Sequence, residues 1–403
     1  MGNCCGGNGS DGNTGGSVAA DHKKHEKKDR IPASESSATT PKKPMPYNAR
    51  PLSPPPAGQR ELLFKANDND TDDDQTKEDA KARALAEEQI KKSMKTGGVR
   101  GDNSAYSVMR KHTQTGQPAA AAVNTGKQSA YNELNRYMSL KGYEMIARIG
   151  AGNYAEVYKA VTVNERKPVA VKVIDLRKTE RNYRQNFLPN EVDVLKICRH
   201  KNIVKIYEMA QTGNRVFMVM EFAPFGTLAE WLKDNGALNE PIAHVWYRQI
   251  AKAINHMHGK HIAHRDLKLE NILICKNRVP KISDFSYAVI HKPGSPPSTT
   301  YCGSLPYFAP EILQRQPHDP IMSDIWSLGV CFFIALNDGL PFKTLDDHSM
   351  ILQKQLNKDW HFRAKVDQKL SKDCKDLIGR MLEPDIPTRI TSQLILAHQW
   401  MRQ

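Results

Sequence analysis

The run His264-Arg265-Asp266-Leu267-Lys268-Leu269-Glu270-Asn271, followed by Asp284-Phe285-Ser286, gathers the residue types that phosphoryl transfer needs. Asp266 can accept the proton of an attacking hydroxyl. Lys268 can stabilise a phosphoryl group in transit, and Asn271 with Asp284 can hold magnesium. Upstream, Val169-Ala-Val-Lys172 ends a strand-like run, where a lysine can reach the α- and β-phosphates of a nucleotide. Glu191 falls on the next expected helix and is placed to hold that lysine. Earlier still, Gly150-Ala-Gly152-Asn-Tyr-Ala155-Glu-Val157 fits a phosphate-cradling loop with Ala155 in place of its third glycine. Glycines there let backbone amides approach phosphate oxygens closely. Taken singly, these residues read as well as a Gly-rich hairpin turn, a surface lysine and a surface glutamate. The ordered set does not.

The elements that must position these groups begin at Tyr143. Strand-like runs cover 144–149, 156–163 and 168–174, a helical stretch covers 186–198, and two more strands cover 203–210 and 215–221. Beyond Thr227 the pattern is mainly helical. A small sheet with one helix, then a larger helical lobe, is an α+β, two-lobed plan. Residues 1–140 read as a disordered tail. They are Gly/Asn/Ser-rich at the start, proline- and serine-rich around Pro51-Leu-Ser-Pro-Pro-Pro56, and acidic over 67–74. Such segments bury too little apolar surface to offset chain entropy. One island, 77–95, is rich in Ala, Glu and Lys and predicts a short helix. A marginal solvated helix is favoured over a docking helix there.

From Tyr143 to its C-terminus the chain resembles the protein kinases, over a domain set at 143–401. Ala309-Pro-Glu311 looks like the close of an activation segment, and Arg389 matches the arginine that pairs with this glutamate. Asp324-Ile-Trp326-Ser-Leu-Gly329 resembles the central C-lobe helix, whose aspartate anchors the catalytic loop. An ordinary helix N-cap is the bland reading of Asp324. Leu195, Ile206, His264 and Phe285 fall where the family stacks a hydrophobic spine. The resemblance implies ATP and Mg2+. It implies Asp266 and Lys268 as catalytic residues, Asn271 and Asp284 as metal ligands, and Lys172 set by Glu191. It further implies Ile149, Gly150, Gly152, Val157, Ala170 and Leu273 around the nucleotide, Met220 as gatekeeper, and Glu221 to Ala223 as the adenine-binding hinge. Lys268 and Gly303-Ser-Leu-Pro-Tyr307 resemble serine/threonine kinases rather than tyrosine kinases. Phe187-Leu-Pro-Asn-Glu191, Lys281-Ile-Ser-Asp-Phe-Ser286 and Tyr301-Cys-Gly-Ser304 are similar to the testis-specific serine kinases, a branch of the calmodulin-dependent group. That implies a germline or sperm signalling role. Thr300 lies where related kinases carry an activating phosphothreonine, with Arg265 as its partner. Ser304 stands where the family contacts the catalytic aspartate and lysine. Thr227 replaces a glutamate that helps read substrate arginine in many basophilic kinases, while Glu270 remains. Ser286 replaces a glycine, and together with Ala155 it is the support for a pseudokinase scaffold as the alternative. The intact Lys172, Glu191, Asp266, Asn271 and Asp284 oppose that reading.

Composition sets the remaining expectations. The net charge of +14 suits an anionic partner, whether nucleotide, acidic lipid or nucleic acid, and charge alone does not choose among them; the resemblance implies nucleotide, with no nucleic acid beyond it. Seven scattered cysteines fit a reducing, cytoplasmic setting rather than a disulfide framework. No apolar h-region opens the chain, and the best apolar run, 326–336, is too short to span a membrane and reads as a buried helix. Met1-Gly2-Asn3-Cys4-Cys5 resembles acylated membrane anchors, although Gly6 stands where the common motif has Ser or Thr. Myristate on Gly2 needs a second signal, from palmitate on Cys4 or Cys5 or from Lys23, Lys24, Lys27 and Lys28. An anchor of this kind would place the protein peripherally on a cytoplasmic membrane face; the alternative is a Gly/Cys-rich disordered start, and for the lysines alone a solvated charge cluster is favoured. A membrane-tethered adaptor is compatible with the kinase reading. Neither a calmodulin-binding tail after the last expected helix nor a D-x-[DN]-x-[DN]-G calcium loop is evident.

Overall fold

The computed structural model describes residues 60–65, 84, 85, 87, 88, 125–152, 154–343 and 347–402. The strand Pro168–Asp175 (PVAVKVID) shows how the first lobe is built. Successive side chains of a strand point to opposite faces. Val169, Val171 and Val173 are buried on one face against Leu134, Met138, Met145, Tyr158 and Phe217. Ala170 and Ile174 are buried on the other against Leu188, Val192, Leu195 and Met220. A strand apolar on both faces needs cover on both. The inner cover is the helix Leu188–Ile197 and the outer cover is the helix Thr125–Leu140.

We number the sheet strands β1 (Arg60–Lys65), β2 (Tyr143–Ala151), β3 (Ala155–Thr162), β4 (Pro168–Asp175), β5 (Ile206–Thr212) and β6 (Arg215–Glu221). They form one six-stranded sheet in the order β1-β5-β6-β4-β3-β2. Adjacent pairs are antiparallel, with Lys172 opposite Val157 on β3 and Met218 on β6.

Residues before 143 therefore depart from the tail expectation in three places. β1 pairs with β5, from Arg60 opposite Thr212 to Lys65 opposite Glu208. The helix Thr125–Leu140 buries Leu134 and Met138, at 5% and 1% exposure. Residues 84, 85, 87 and 88 are helical, as expected for the island, but they are docked rather than solvated. Leu85 packs against the main core, and Glu87 Oε1 lies 3.0 Å from Arg278 Nη1. Average composition hides these few apolar and charged residues, whose partners stand far along the chain. The remaining tail residues, including Gly2, Cys4 and Cys5, lie outside the described residues.

The second lobe is helical. The helix Pro320–Asn337 is long and apolar enough to span a membrane, yet it is the centre of this lobe. Ile325, Trp326, Val330, Phe332 and Phe333 are each 0% exposed. Asp319, not Asp324, caps it, by accepting from the Ile321 N–H. Glu240–Gly259 packs beside it, and Trp246 and Trp400 are also 0% exposed.

Candidate active site

The catalytic loop is held from below by Asp324. Its carboxylate accepts from the backbone N–H groups of His264 (2.7 Å) and Arg265 (2.8 Å). A side chain inside a helix that satisfies two loop amides is an anchor, so the N-cap reading of Asp324 falls. With the amides fixed, Arg265 adopts a positive φ of 64°, a strained backbone of the kind that clusters at functional sites.

Asp266 is the centre of the loop. Lys268 Nζ donates to its Oδ2 at 2.7 Å and to Ser304 Oγ at 2.9 Å, and Ser304 Oγ donates to Asp266 Oδ1 at 2.8 Å. Asn271 Nδ2 donates to the Asp266 carbonyl at 2.8 Å and to Oδ2 at 3.1 Å. Burial works against the charge on Lys268, but Asp266 outweighs it and raises the pKa. The expected contact of Ser304 with the aspartate and lysine is therefore present.

Asp284 stands across the cleft with a positive φ of 61°. Its Oδ1 accepts from Lys172 Nζ at 2.7 Å and from Ser286 Oγ at 2.5 Å, and Lys172 Nζ also donates to Ser286 Oγ at 3.0 Å. Desolvation by the cleft disfavours the Asp284 charge, but Lys172 and Ser286 more than offset it. The carboxyl stays well below the usual carboxylate range. Lys172 is held above the ordinary lysine value against its own burial, by Asp284 and then Glu191. Glu191 lies 3.7 Å from Lys172 and is raised by burial. The lysine and glutamate chosen from sequence thus meet, although Lys172 sits closer to Asp284. Sequence reasoning treated Ser286 only as a lost glycine. Its hydroxyl bridges the lysine and the aspartate.

The nucleotide residues line up around these groups. β2 and β3 pair Gly150 with Val157, and Gly152 N–H donates to the Ala155 carbonyl at 2.7 Å. A Cβ at Gly150 or Gly152 would make only ordinary contacts, with nearest atoms at 3.6 and 3.8 Å. The hairpin itself therefore does not require these glycines, and that favours the phosphate-approach reading over a plain turn. Ala170 sits opposite Met220. Val157 and Leu273 are partly buried against the same core, and Ile149 is exposed at the start of the loop. Glu221 is fixed by Lys281 Nζ at 2.9 Å, and Ala223 accepts from the Gly226 N–H at 3.3 Å. The His264 and Phe285 rings are tilted at 55° with centroids 5.1 Å apart, and Phe285 shares its core with buried Leu195 and partly buried Ile206.

In the activation segment Ser298 and His318 exchange backbone hydrogen bonds of 2.8 and 2.9 Å, and Ser304 is tied to Lys268. Gly303, at φ 110°, passes so close that a Cβ would lie 2.6 Å from the Arg265 carbonyl. Arg265 is partly buried, and the loss of solvent lowers its pKa. It donates to the Tyr287 carbonyl at 2.6 Å and faces the Phe187 ring at 5.6 Å. Thr300 lines one small cavity with Arg265. Thr227 forms a capping box with Glu230, so this residue serves its helix.

Comparison with known proteins agrees with this geometry. The protein kinase domain family matches residues 143–401. The chain is 39% identical over 268 residues to testis-specific serine/threonine-protein kinase 2 of Mus musculus, covering 65% of this chain and 74% of that protein. It is 36% identical over 288 residues to testis-specific serine/threonine-protein kinase 4 of Homo sapiens, covering 68% and 85%. It is 36% identical over 260 residues to serine/threonine-protein kinase SIK1 of Mus musculus, covering 64% and 32%.

Proposed function

The chain belongs to the protein kinase domain family, and on that premise we propose how this serine/threonine kinase carries out transfer and where it acts. Asp266 orients the substrate hydroxyl and takes its proton. Lys268, 2.7 Å from Asp266, steadies the γ-phosphoryl group of ATP as it moves in line to that oxygen. Lys172 orients the α- and β-phosphates, and the Gly150–Gly152 backbone closes over them. Most of the rate comes from fixed position and charge rather than covalent chemistry. The observation that carries this reading is the Asp266 carboxylate, held by Lys268, Asn271 and Ser304 at once.

The family uses Mg2+, and the donor set fits a hard cation that takes oxygen ligands. Asp284 is kept ionised. The amide nitrogen of Asn271 is engaged by Asp266, leaving its carbonyl oxygen as the ligand atom. Bound there, the ion would neutralise phosphate charge. The pseudokinase alternative loses its footing, because Ser286 supports Asp284 instead of displacing it.

The test is phosphate incorporation by wild type, Lys172→Met and Asp266→Asn. Losses of about a hundredfold or more are expected when such preorganised charge is removed. Full activity in both purified variants would overturn the assignment.

The names of the testis-specific relatives support a germline role for this chain. Its Gly2-Asn-Cys-Cys5 start supports acylation and a place on a cytoplasmic membrane face. Comparing fractionation of wild type and Gly2→Ala tests the second point. Equal soluble fractions, with no lipid mass on the N-terminal peptide, would reject it.

A further inference from the structure

Glu191 is 1% exposed, and its carboxylate is nearer to a phenol than to the lysine it is meant to hold. Tyr183 Oη donates to Glu191 Oε2 at 3.3 Å, while Lys172 Nζ lies 3.7 Å from Oε1. Tyr183 opens a single π-helical turn, Tyr183–Phe187, directly ahead of the helix Leu188–Ile197. Such turns change the facing of what precedes them and often mark functional sites. Helical side chains lean toward the helix N-terminus, so Glu191 reaches back to meet Tyr183. On its other side the Tyr183 ring faces Tyr154 of the Gly-rich loop, with centroids 6.3 Å apart at 31°. Tyr154 is itself fixed, its carbonyl accepting from Asp175 N–H at 3.0 Å and its hydroxyl donating to Glu180 at 3.3 Å.

We propose that Tyr183 is a positioning residue of the nucleotide site, acting through Glu191 on Lys172 and bearing on the Gly-rich loop through Tyr154. Lys172 has two carboxylates within reach, Glu191 at 3.7 Å and Asp284 at 2.7 Å. While it rests on Asp284 it occupies the carboxylate assigned to the metal. Swinging toward Glu191 frees that carboxylate and presents the ammonium to phosphates. A buried carboxylate draws the lysine only while it is charged and correctly turned, and burial opposes the charge. The Tyr183 hydroxyl supplies a hydrogen bond that favours the charged, oriented form. Without it the balance moves toward Asp284, and nucleotide binding weakens. Chemistry on bound nucleotide, centred on Asp266, is untouched.

This inference rests on the kinase reading, and the experiment separates the two. Wild type, Tyr183→Phe, Glu191→Gln and the double variant are compared. The measurements are KM for ATP, kcat, melting temperature, and the Kd of a fluorescent ATP analogue with Mg2+. Losing one such hydrogen bond should raise both KM and Kd about fivefold. Kcat should stay within about twofold and the melting temperature should hold, because the ring remains. On a Glu191→Gln background the same change should have no further effect on KM, as expected of two residues acting in one network. The proposal is overturned if Tyr183→Phe leaves KM and Kd at wild-type values. It is also overturned if the effect persists in full without the Glu191 charge. Should Tyr183→Phe melt early, Tyr154→Ala tests the loop contact instead, and unchanged KM and Kd there would overturn the coupling. A wild-type protein that binds the analogue but transfers no phosphate would remove the kinase reading, leaving the binding comparison intact.

Discussion

Replacing Glu311 with glutamine should destabilise the domain far more than an isosteric change suggests. Arg389 and Glu311 form a two-pronged pair at 2.8 and 3.0 Å, with side chains 0% and 4% exposed. Removing one partner of a buried pair strands the other charge, at a cost of about 3–5 kcal/mol. Three carbonyls also accept from Arg389, those of Glu383, Met322 and Pro384. They disperse part of its charge, so the low end, about 3 kcal/mol, is expected. For a domain of this size each kcal/mol lowers the melting point by roughly 2–4 °C, giving about 6–12 °C in all. The assay is thermal melting of wild type, Glu311→Gln, Arg389→Met and the double variant. The double variant should melt above the sum of the single losses, since no charge is left stranded. A shift below about 2 °C in Glu311→Gln, or full additivity, would refute the reasoning. The pair has a pH signature as well. Burial opposes the Glu311 charge, but Arg389 outweighs it and lowers the pKa from its ordinary 4.5. Its stabilisation is therefore complete above about pH 4.5 and is lost as pH falls toward the depressed folded value. Glu311→Gln should show a smaller acid-induced loss than wild type.

Three further outcomes are expected. Thr300→Ala should stay weakly active after treatment with cell extract and ATP, while Thr299→Ala and Ser298→Ala respond. A phosphate at Thr300 would add about −1.5 to −2 charges beside partly buried Arg265, and a fully active Thr300→Ala would reject the switch. Gly303→Ala should lower kcat by about a hundredfold, because its Cβ would lie 2.6 Å from the Arg265 carbonyl and shift the catalytic loop. Wild-type kcat would show that the loop yields freely. Leu134→Ala, at a position 5% exposed, should cost about 2–3 kcal/mol, and an unchanged melting curve would mean the helix Thr125–Leu140 is not an integral cover of the sheet.

The ordered set His264 to Asn271, Asp284, Lys172 and Glu191 pointed to phosphoryl transfer, and the order of strand-like and helical runs pointed to a two-lobed plan. Each of those residues is a chemical group whose type the reaction dictates, so it is visible without coordinates. The near-continuous apolar run of Pro168–Asp175 likewise reads as a strand, and the structure shows that both its faces are buried. The outer face had to be covered by something, and that cover is the helix Thr125–Leu140, inside a segment whose average polarity argued for a tail. Composition averages over residues, whereas docking depends on a few of them, such as Leu134, Met138, Leu85 and Glu87. Tyr183 and Ser286 were illegible for a related reason. Tyrosine and serine are common, and nothing in their spacing separates a surface hydroxyl from one aimed at a carboxylate of the site. Only the tertiary structure brings Tyr183 to Glu191 and Ser286 to Asp284. Hydrogen bonds act over about 3 Å, and which groups come that close is decided by packing between segments distant in the chain.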